Sequence, residues 1–368
     1  MKVKKHILVI SDPPAAPGYL PRVRSLCDYL VQKGHDVALL TEQYQPLDFE
    51  HTYPIETIRM YSGGSFDWFI KTVWTLFTDW HDRAFAKKAL STMHGGYDLV
   101  ICSAFSDFPL GAAQRIAKAL NVPLICDIRD LEEQVDDATY HYRHQSKWLM
   151  PFRKFYRAIH LRRRNNVLRS ADAITTVSPW HAEFIRAISH QQSAVSVVYN
   201  GFDEKQFYPK DVRMKTFKIT YIGSLFEWQK PALEKVRKAI VDMPIALEIH
   251  TPQQDPVSYK DLGDTIRQSG IMLVLTSEKT HGMLTTKFYE ALGCAKPILC
   301  VPSDEGALAE LIAYTHAGLA SDDIEEIKAF ILDRYHEWEM HGYSTQPTRH
   351  REEFTRFNQY DQFYRTYL

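Results

Sequence analysis

The chain has 368 residues, 45% of them hydrophobic and 24% charged, with a formal net charge of -1. That length exceeds what one compact core usually holds, and the composition excludes a disordered chain, so two globular domains are expected. The near-zero charge leaves no global field to gather nucleic acid, and no nucleic-acid partner is expected. In chain order, the apolar run 6–11 reads as a buried strand, 13–18 as a loop and 20–33 as a helix that Gly34 stops. Runs 36–40, 98–102, 123–127, 173–177 and 195–199 read as further strands. Strand–loop–helix–strand order implies a parallel sheet with crossover helices.

A loop follows from Asn200 through Pro209, and then the pattern restarts. Strands are expected at 217–223, 246–250, 271–275 and 297–301, with a helix from about Pro231. The fold class is therefore α/β, with two doubly wound Rossmann-like domains facing across a cleft. The predicted boundaries are 1–203 for the first domain and 204–349 for the second, with a helix at 350–368 returning to the first. Open parallel sheets bind ligands beyond the carboxyl ends of their strands. Cys27, Cys102, Cys126, Cys294 and Cys300 are odd in number and form no Cys-x-x-Cys pair. They read as core thiols in a reducing compartment rather than disulfides or zinc ligands. The opening apolar run is too short for a signal peptide or a spanning helix, so a cytoplasmic location is expected.

The most informative stretch is 285–299, which reads as a short helix, a Gly-bearing turn and a buried strand. Thr286, Lys287 and Glu290 share one face of that helix, while Phe288, Ala291 and Leu292 form a separate apolar stripe. A helix N-terminus with a nearby lysine suits phosphate, and a carboxylate one turn on suits paired hydroxyls such as those of a ribose. Together they fit a sugar nucleotide. The plainer alternative is an amphipathic helix with a solvated Lys287 and Glu290.

The order of motifs resembles the GT-B fold glycosyltransferases, in particular the large retaining family of bacterial capsule and O-antigen enzymes. The resemblance rests on Gly34-His35-Asp36-Val37, Asp127-Ile128-Arg129-Asp130-Leu131, the 171–178 strand, Asn200-Gly201-Phe202-Asp203, Tyr221-Ile222-Gly223-Ser224-Leu225 and the 285–299 segment. It implies a nucleotide-diphosphate sugar as donor substrate and a glycan or lipid-linked acceptor, in cell-surface polysaccharide synthesis. It further implies transfer with retention, no cofactor and no metal. Of the family's two carboxylates eight positions apart, Glu290 matches the second, assigned to the donor ribose. The first position is Gly282, with His281 and Glu278 nearby but off the family spacing. Ser224 stands where the family has an Arg after the donor-domain glycine, Gly223. Gln229 stands at its Lys position, with Lys230 beside it as a phosphate ligand or a solvated helix-start lysine. Glu310 falls in a segment where the family often places a glutamate near the donor.

In the first domain Gly18 follows a proline-rich loop, where it lets backbone approach a diphosphate or acceptor, or the loop is merely a stiff turn. No G-x-G-x-x-G follows the first strand, which argues against a nicotinamide dehydrogenase. Asp130 is placed to orient or deprotonate an acceptor hydroxyl, with Arg129 pairing with it or contacting phosphate; an Arg–Asp pair tying down a loop is the alternative. Candidate catalytic residues are thus Asp130, Lys230 and Lys287. Aromatic and basic residues interleave at 68–77 and 147–164, as suits peripheral attachment to an anionic membrane surface. Two other functions fit the departures from the family pattern: a catalytically impaired glycan-binding or scaffold subunit, and a sugar-nucleotide epimerase.

Overall fold

The computed structural model describes residues 3–12, 21–42, 51–60, 74–75, 78–93, 95–104, 107–134, 150–190, 195–276 and 282–368. The chain divides into two compact units. The first comprises Met1–Glu132, Tyr142–Val177 and His181–Val198; the second comprises Glu133–His141, Ser178–Trp180 and Tyr199–Leu368.

The sheet of the first unit has seven strands: β1 (His6–Ser11), β2 (Asp36–Glu42), β3 (Ile55–Ile58), β4 (Leu99–Ala104), β5 (Leu124–Ile128), β6 (Ala173–Thr176) and β7 (Val195–Val197). All pair in parallel, in the order β3-β2-β1-β4-β5-β6-β7. Every residue of β4 and β5 is buried. That is why those runs are apolar throughout instead of alternating: helices cover both faces of a parallel sheet. The helices are α1 (Pro21–Gln32), α2 (Trp80–Thr92), α3 (Leu110–Leu120), α4 (Met150–Leu168) and α5 (Pro179–Ser189). One core face joins Leu8, Ile10, Val100, Cys102 and Ile128 to Phe85 of α2 and Ile116 of α3. Each such side chain contributes about 1.5–3 kcal/mol when fully buried.

A charge lies at the centre of this unit. Asp127, in β5, is buried and accepts four hydrogen bonds. Arg22 of α1 donates from Nε (3.0 Å) and Nη2 (2.7 Å), Ser103 of β4 from Oγ (2.8 Å) and Thr175 of β6 from Oγ1 (2.8 Å). Burial pushes the Asp127 carboxyl up, but Arg22 and the two hydroxyls outweigh it and hold it below the usual carboxylate range. The network ties one helix to three adjacent strands.

The second unit carries a five-stranded parallel sheet of β8 (Lys218–Ile222), β9 (Ala246–His250), β10 (Ile271–Leu275), β11 (Ile298–Val301) and β12 (Gly318–Ala320), in the order β12-β11-β10-β8-β9. Its helices are α6 (Lys230–Ala239), α7 (Tyr259–Arg267), α8 (Thr286–Gly293), α9 (Ala307–Thr315), α10 (Ile324–His341) and α11 (Arg356–Tyr367). Alternation along β10 feeds two cores. Met272 and Val274 pack with Phe288 and Leu292 of α8, whereas Ile271, Leu273 and Leu275 pack with Val236 of α6 and Ile327 of α10. The strand order reverses between β8 and β10. Such a reversal opens a crevice at the carboxyl ends of the strands.

All five cysteines are buried free thiols. Among the described residues no helix is long and apolar enough to cross a membrane. Short edge strands β3 and β12 add to the strands expected from sequence. Replacing Arg22 with Met should leave Asp127 a buried, uncompensated charge and cost about 3–5 kcal/mol of stability, as measured by denaturant unfolding.

Candidate functional site

The turn after β8 and the start of α8 meet at the β8/β10 reversal. Gly223 follows β8 with φ +133°, a value side chains rarely tolerate. A Cβ at that position would lie 2.5 Å from Cε of Lys287 and 2.8 Å from its Nζ. The glycine therefore leaves the hollow that the lysine side chain fills. Lys287 lies over the Tyr221 ring, with Nζ 5.1 Å from the centroid. It makes no salt bridge with any described residue. Burial lowers its pKa, and the charge of Glu290 opposes that shift.

Thr285 begins α8 as its N-cap, its Oγ1 accepting from Lys287 N at 3.4 Å. Thr286, the first helical residue, is exposed. Glu290 is half-buried one turn along, and it too lacks a salt bridge to any described residue. Burial raises its pKa, against the opposing charges of Arg356 and Lys287. Helix N-terminus, ammonium and carboxylate thus share one stretch of α8, next to the side-chain-free Gly223 turn.

The turn from β8 into α6 is held by a residue the sequence left unassigned. Gln229 is buried; its Oε1 accepts from Phe226 N at 2.9 Å and its Nε2 donates to Leu275 O at 2.9 Å. Tyr221 Oη donates to Ser224 O at 2.6 Å. Gln229 therefore staples the turn to β10. Lys230 is exposed and pairs with Glu227 at 2.8 Å, an i,i+3 pair on the surface. Ser224 is exposed, with its carbonyl turned to Tyr221.

Glu310 lies in the first turn of α9 and lines a separate pocket of about 700 Å³ with Tyr199, Tyr314 and Phe354. Neither Gly223, Lys287 nor Glu290 lines that pocket. The buried charges and the strand reversal, rather than pocket size, mark the site at α8. The first amides of α9 are already occupied: Asp304, fully buried, accepts from Leu308 N (3.2 Å) and Ala309 N (2.9 Å).

Gly282, at the position of the missing first carboxylate, has φ +77°. A Cβ there would lie 2.6 Å from Cγ of Trp180, and its carbonyl accepts from Ser178 Oγ at 2.9 Å. The backbone and its neighbour both require glycine. Gly18, His281 and Glu278 lie outside the described residues, as do 68–73, 76–77 and 147–149 of the proposed membrane face.

In the first unit Arg129 pairs with Asp12 rather than with Asp130. Asp130 keeps a hydrogen bond from Leu131 N to its Oδ1 at 3.0 Å. Burial raises its pKa to about 6, against the lowering effects of that bond and Arg129. The residues sequence reasoning missed are Asp304, Gln229 in its stapling role, and Arg356, a buried cation that acts on Glu290. Only position relative to α8 marks Arg356, and no local pattern carries that.

A family model described as Glycosyltransferase Family 4 matches residues 22–206, half of the chain. The chain belongs to that family. Among solved structures it is similar to sucrose-phosphate synthase from Thermosynechococcus elongatus, at 17% identity over 99% of each chain with a TM-score of 0.69. It is also similar to Anabaena Alr3699/HepE in complex with UDP and glucose, at 13% identity over 98% of this chain and 99% of that one, with a TM-score of 0.62. The lipopolysaccharide outer core galactosyltransferase WaaB in its apo form matches at 13% identity over 99% of this chain and 100% of that one, with a TM-score of 0.59. No curated protein matches in sequence. The fold is GT-B, and the family is one of glycosyltransferases.

Replacing Gly223 with Ala should cost about 1–3 kcal/mol, because it puts a Cβ at positive φ and against Lys287; equilibrium unfolding measures this. Asp130 has a folded pKa raised above its unfolded value, so its contribution to stability is present at low pH and is lost as pH rises to about 6. Asp130→Asn should therefore raise the melting temperature at neutral pH, and the gain should vanish in acid, below the unfolded carboxyl pKa.

Proposed function

We propose that the chain transfers a sugar from a nucleotide-diphosphate sugar to a glycan or lipid-linked acceptor in cell-surface polysaccharide synthesis. The observation that carries this reading is the Lys287 ammonium at the start of α8, which forms no salt bridge with a described residue and packs into the hollow at Gly223 three residues before Glu290. A diphosphate placed on the α8 N-terminus would gain that charge and the helix dipole. Glu290 would accept hydrogen bonds from ribose hydroxyls. Similarity to a structure holding UDP and glucose supports the same class of ligand.

Transfer with retention follows from the family resemblance. The bond from the sugar C1 to the diphosphate oxygen breaks and the acceptor oxygen bonds C1 on the same face. The acceptor proton passes to the departing phosphate oxygen, so no protein base is required. Lys287 stabilises the negative charge that grows on the diphosphate, a role a metal would otherwise fill. Asp130, in the first unit, would orient the acceptor hydroxyl.

A lipid-linked acceptor is supported by Trp74 and Phe155, which are 57% and 55% exposed, and by exposed Lys154 and Arg162 on α4. Arg163 Nη1 donates to Thr75 O at 2.7 Å and ties α4 to that turn. Apolar rings beside cations suit an anionic membrane interface. The scaffold alternative draws on Gly282, whose surroundings admit no carboxylate.

Glu290→Ala should weaken UDP binding by about 1–3 kcal/mol, the worth of charge-assisted hydrogen bonds, in a titration calorimeter. Unchanged affinity would remove the assignment, and no thermal shift with any nucleoside diphosphate would favour the scaffold reading.

A further inference from the structure

Tyr221 lies in β8, two places before Gly223, and is fully buried. The two residues meet the same side chain. Lys287 occupies the space a Cβ of Gly223 would need, with Cε 2.5 Å and Nζ 2.8 Å from that point. The same Nζ lies 5.1 Å from the centroid of the Tyr221 ring. A ring face within about 6 Å attracts an ammonium through its quadrupole, and more strongly where water is excluded.

The other end of Tyr221 holds the backbone that borders the lysine. Its Oη donates to Ser224 O at 2.6 Å and, at 3.4 Å, to Gln229 Oε1. Burial pushes the hydroxyl up to about 12, against the effect of Gln229, so it is a donor at every ordinary pH. Gln229 Oε1 also accepts from Phe226 N at 2.9 Å, and Nε2 donates to Leu275 O at 2.9 Å. Gly223 N donates to His250 O at 2.8 Å. The 223–226 turn is thus tied to β9 through His250, to β8 through Tyr221 and to β10 through Leu275. A lysine on a loose turn would have to be ordered by the ligand it binds; one already held costs that ligand less.

We propose that Tyr221 is a positioning residue for Lys287: its ring carries the ammonium and its hydroxyl fixes the turn against the lysine stem, so that a diphosphate at the α8 N-terminus meets a cation already in place. The inference rests on the proposed nucleotide site. Because Tyr221 acts through Lys287, its influence falls on the phosphates of the ligand and not on its base or ribose.

The test uses the full chain as wild type, Tyr221→Leu, Tyr221→Phe, Lys287→Met and the Leu/Met double variant. Each is titrated with whichever of UDP, GDP and ADP the wild type binds most tightly, by calorimetry, and with the matching nucleoside, by NMR. Tyr221→Leu should bind the diphosphate about tenfold more weakly and the nucleoside as the wild type does. Tyr221→Phe keeps the ring and loses only the bond to the turn, so its loss should be about threefold. Tyr221→Leu should add no loss in the Lys287→Met background. Equal losses for diphosphate and nucleoside, a loss additive with Lys287→Met, or tighter diphosphate binding by Tyr221→Leu would overturn the proposal.

Ligand-free denaturant unfolding of wild type, Tyr221→Leu, Lys287→Met and the double variant decides the matter independently, because Tyr221→Leu should cost less once the ammonium is gone. Tyr221→Met replaces Leu in both series if the Leu variant does not fold. Failure of the wild type to bind UDP, GDP or ADP would overturn the nucleotide reading. An additive unfolding cycle would overturn this inference alone.

Discussion

Three charges beside α8 have to be kept partly or wholly out of water with no direct salt bridge among them. Lys287 fills the hollow under Gly223, Glu290 stands one turn along, and Arg356 is a buried cation whose charge acts on Glu290. Glu290 and each of the two cations lower one another's cost through a field rather than a contact. Such a face is expensive to build. Under the proposed function it would meet a ligand that brings its own negative charge and its own hydroxyls. The turn stapled by Gln229 and the cap that Asp304 puts on α9 make sense around it, since both remove competing freedom from the loops that border the crevice.

The two units spend buried charge differently. In the first, Asp127 takes four hydrogen bonds and has none left to offer, so its job is to lock α1 to three strands. Asp130, three residues on, has one backbone hydrogen bond and no salt bridge among the described residues, and burial raises its pKa to about 6.

Much of the fold was legible because both sheets are parallel. Runs such as 99–104 and 271–275 are apolar on both faces, and helices between them follow an independent period. The short edges β3 and β12 escaped notice because three or four residues carry too little pattern. At the site, Lys287 and Glu290 were readable from helical spacing. Lys230 occupies the expected place in the chain yet pairs with Glu227 in solvent, because Gln229 beside it has taken the interior position. Arg129 answers to Asp12, 117 residues away, so its partner could not be found by reading neighbours.

Gly282 has an evolutionary corollary. A backbone at φ +77° with the Trp180 ring where a Cβ would stand makes the glycine and the tryptophan an interlocked couple. An acidic residue introduced at 282 by one codon change would meet steric rejection from a side chain more than a hundred positions upstream. An acidic side chain at position 282 would therefore require that the Trp180 indole first be lost or displaced.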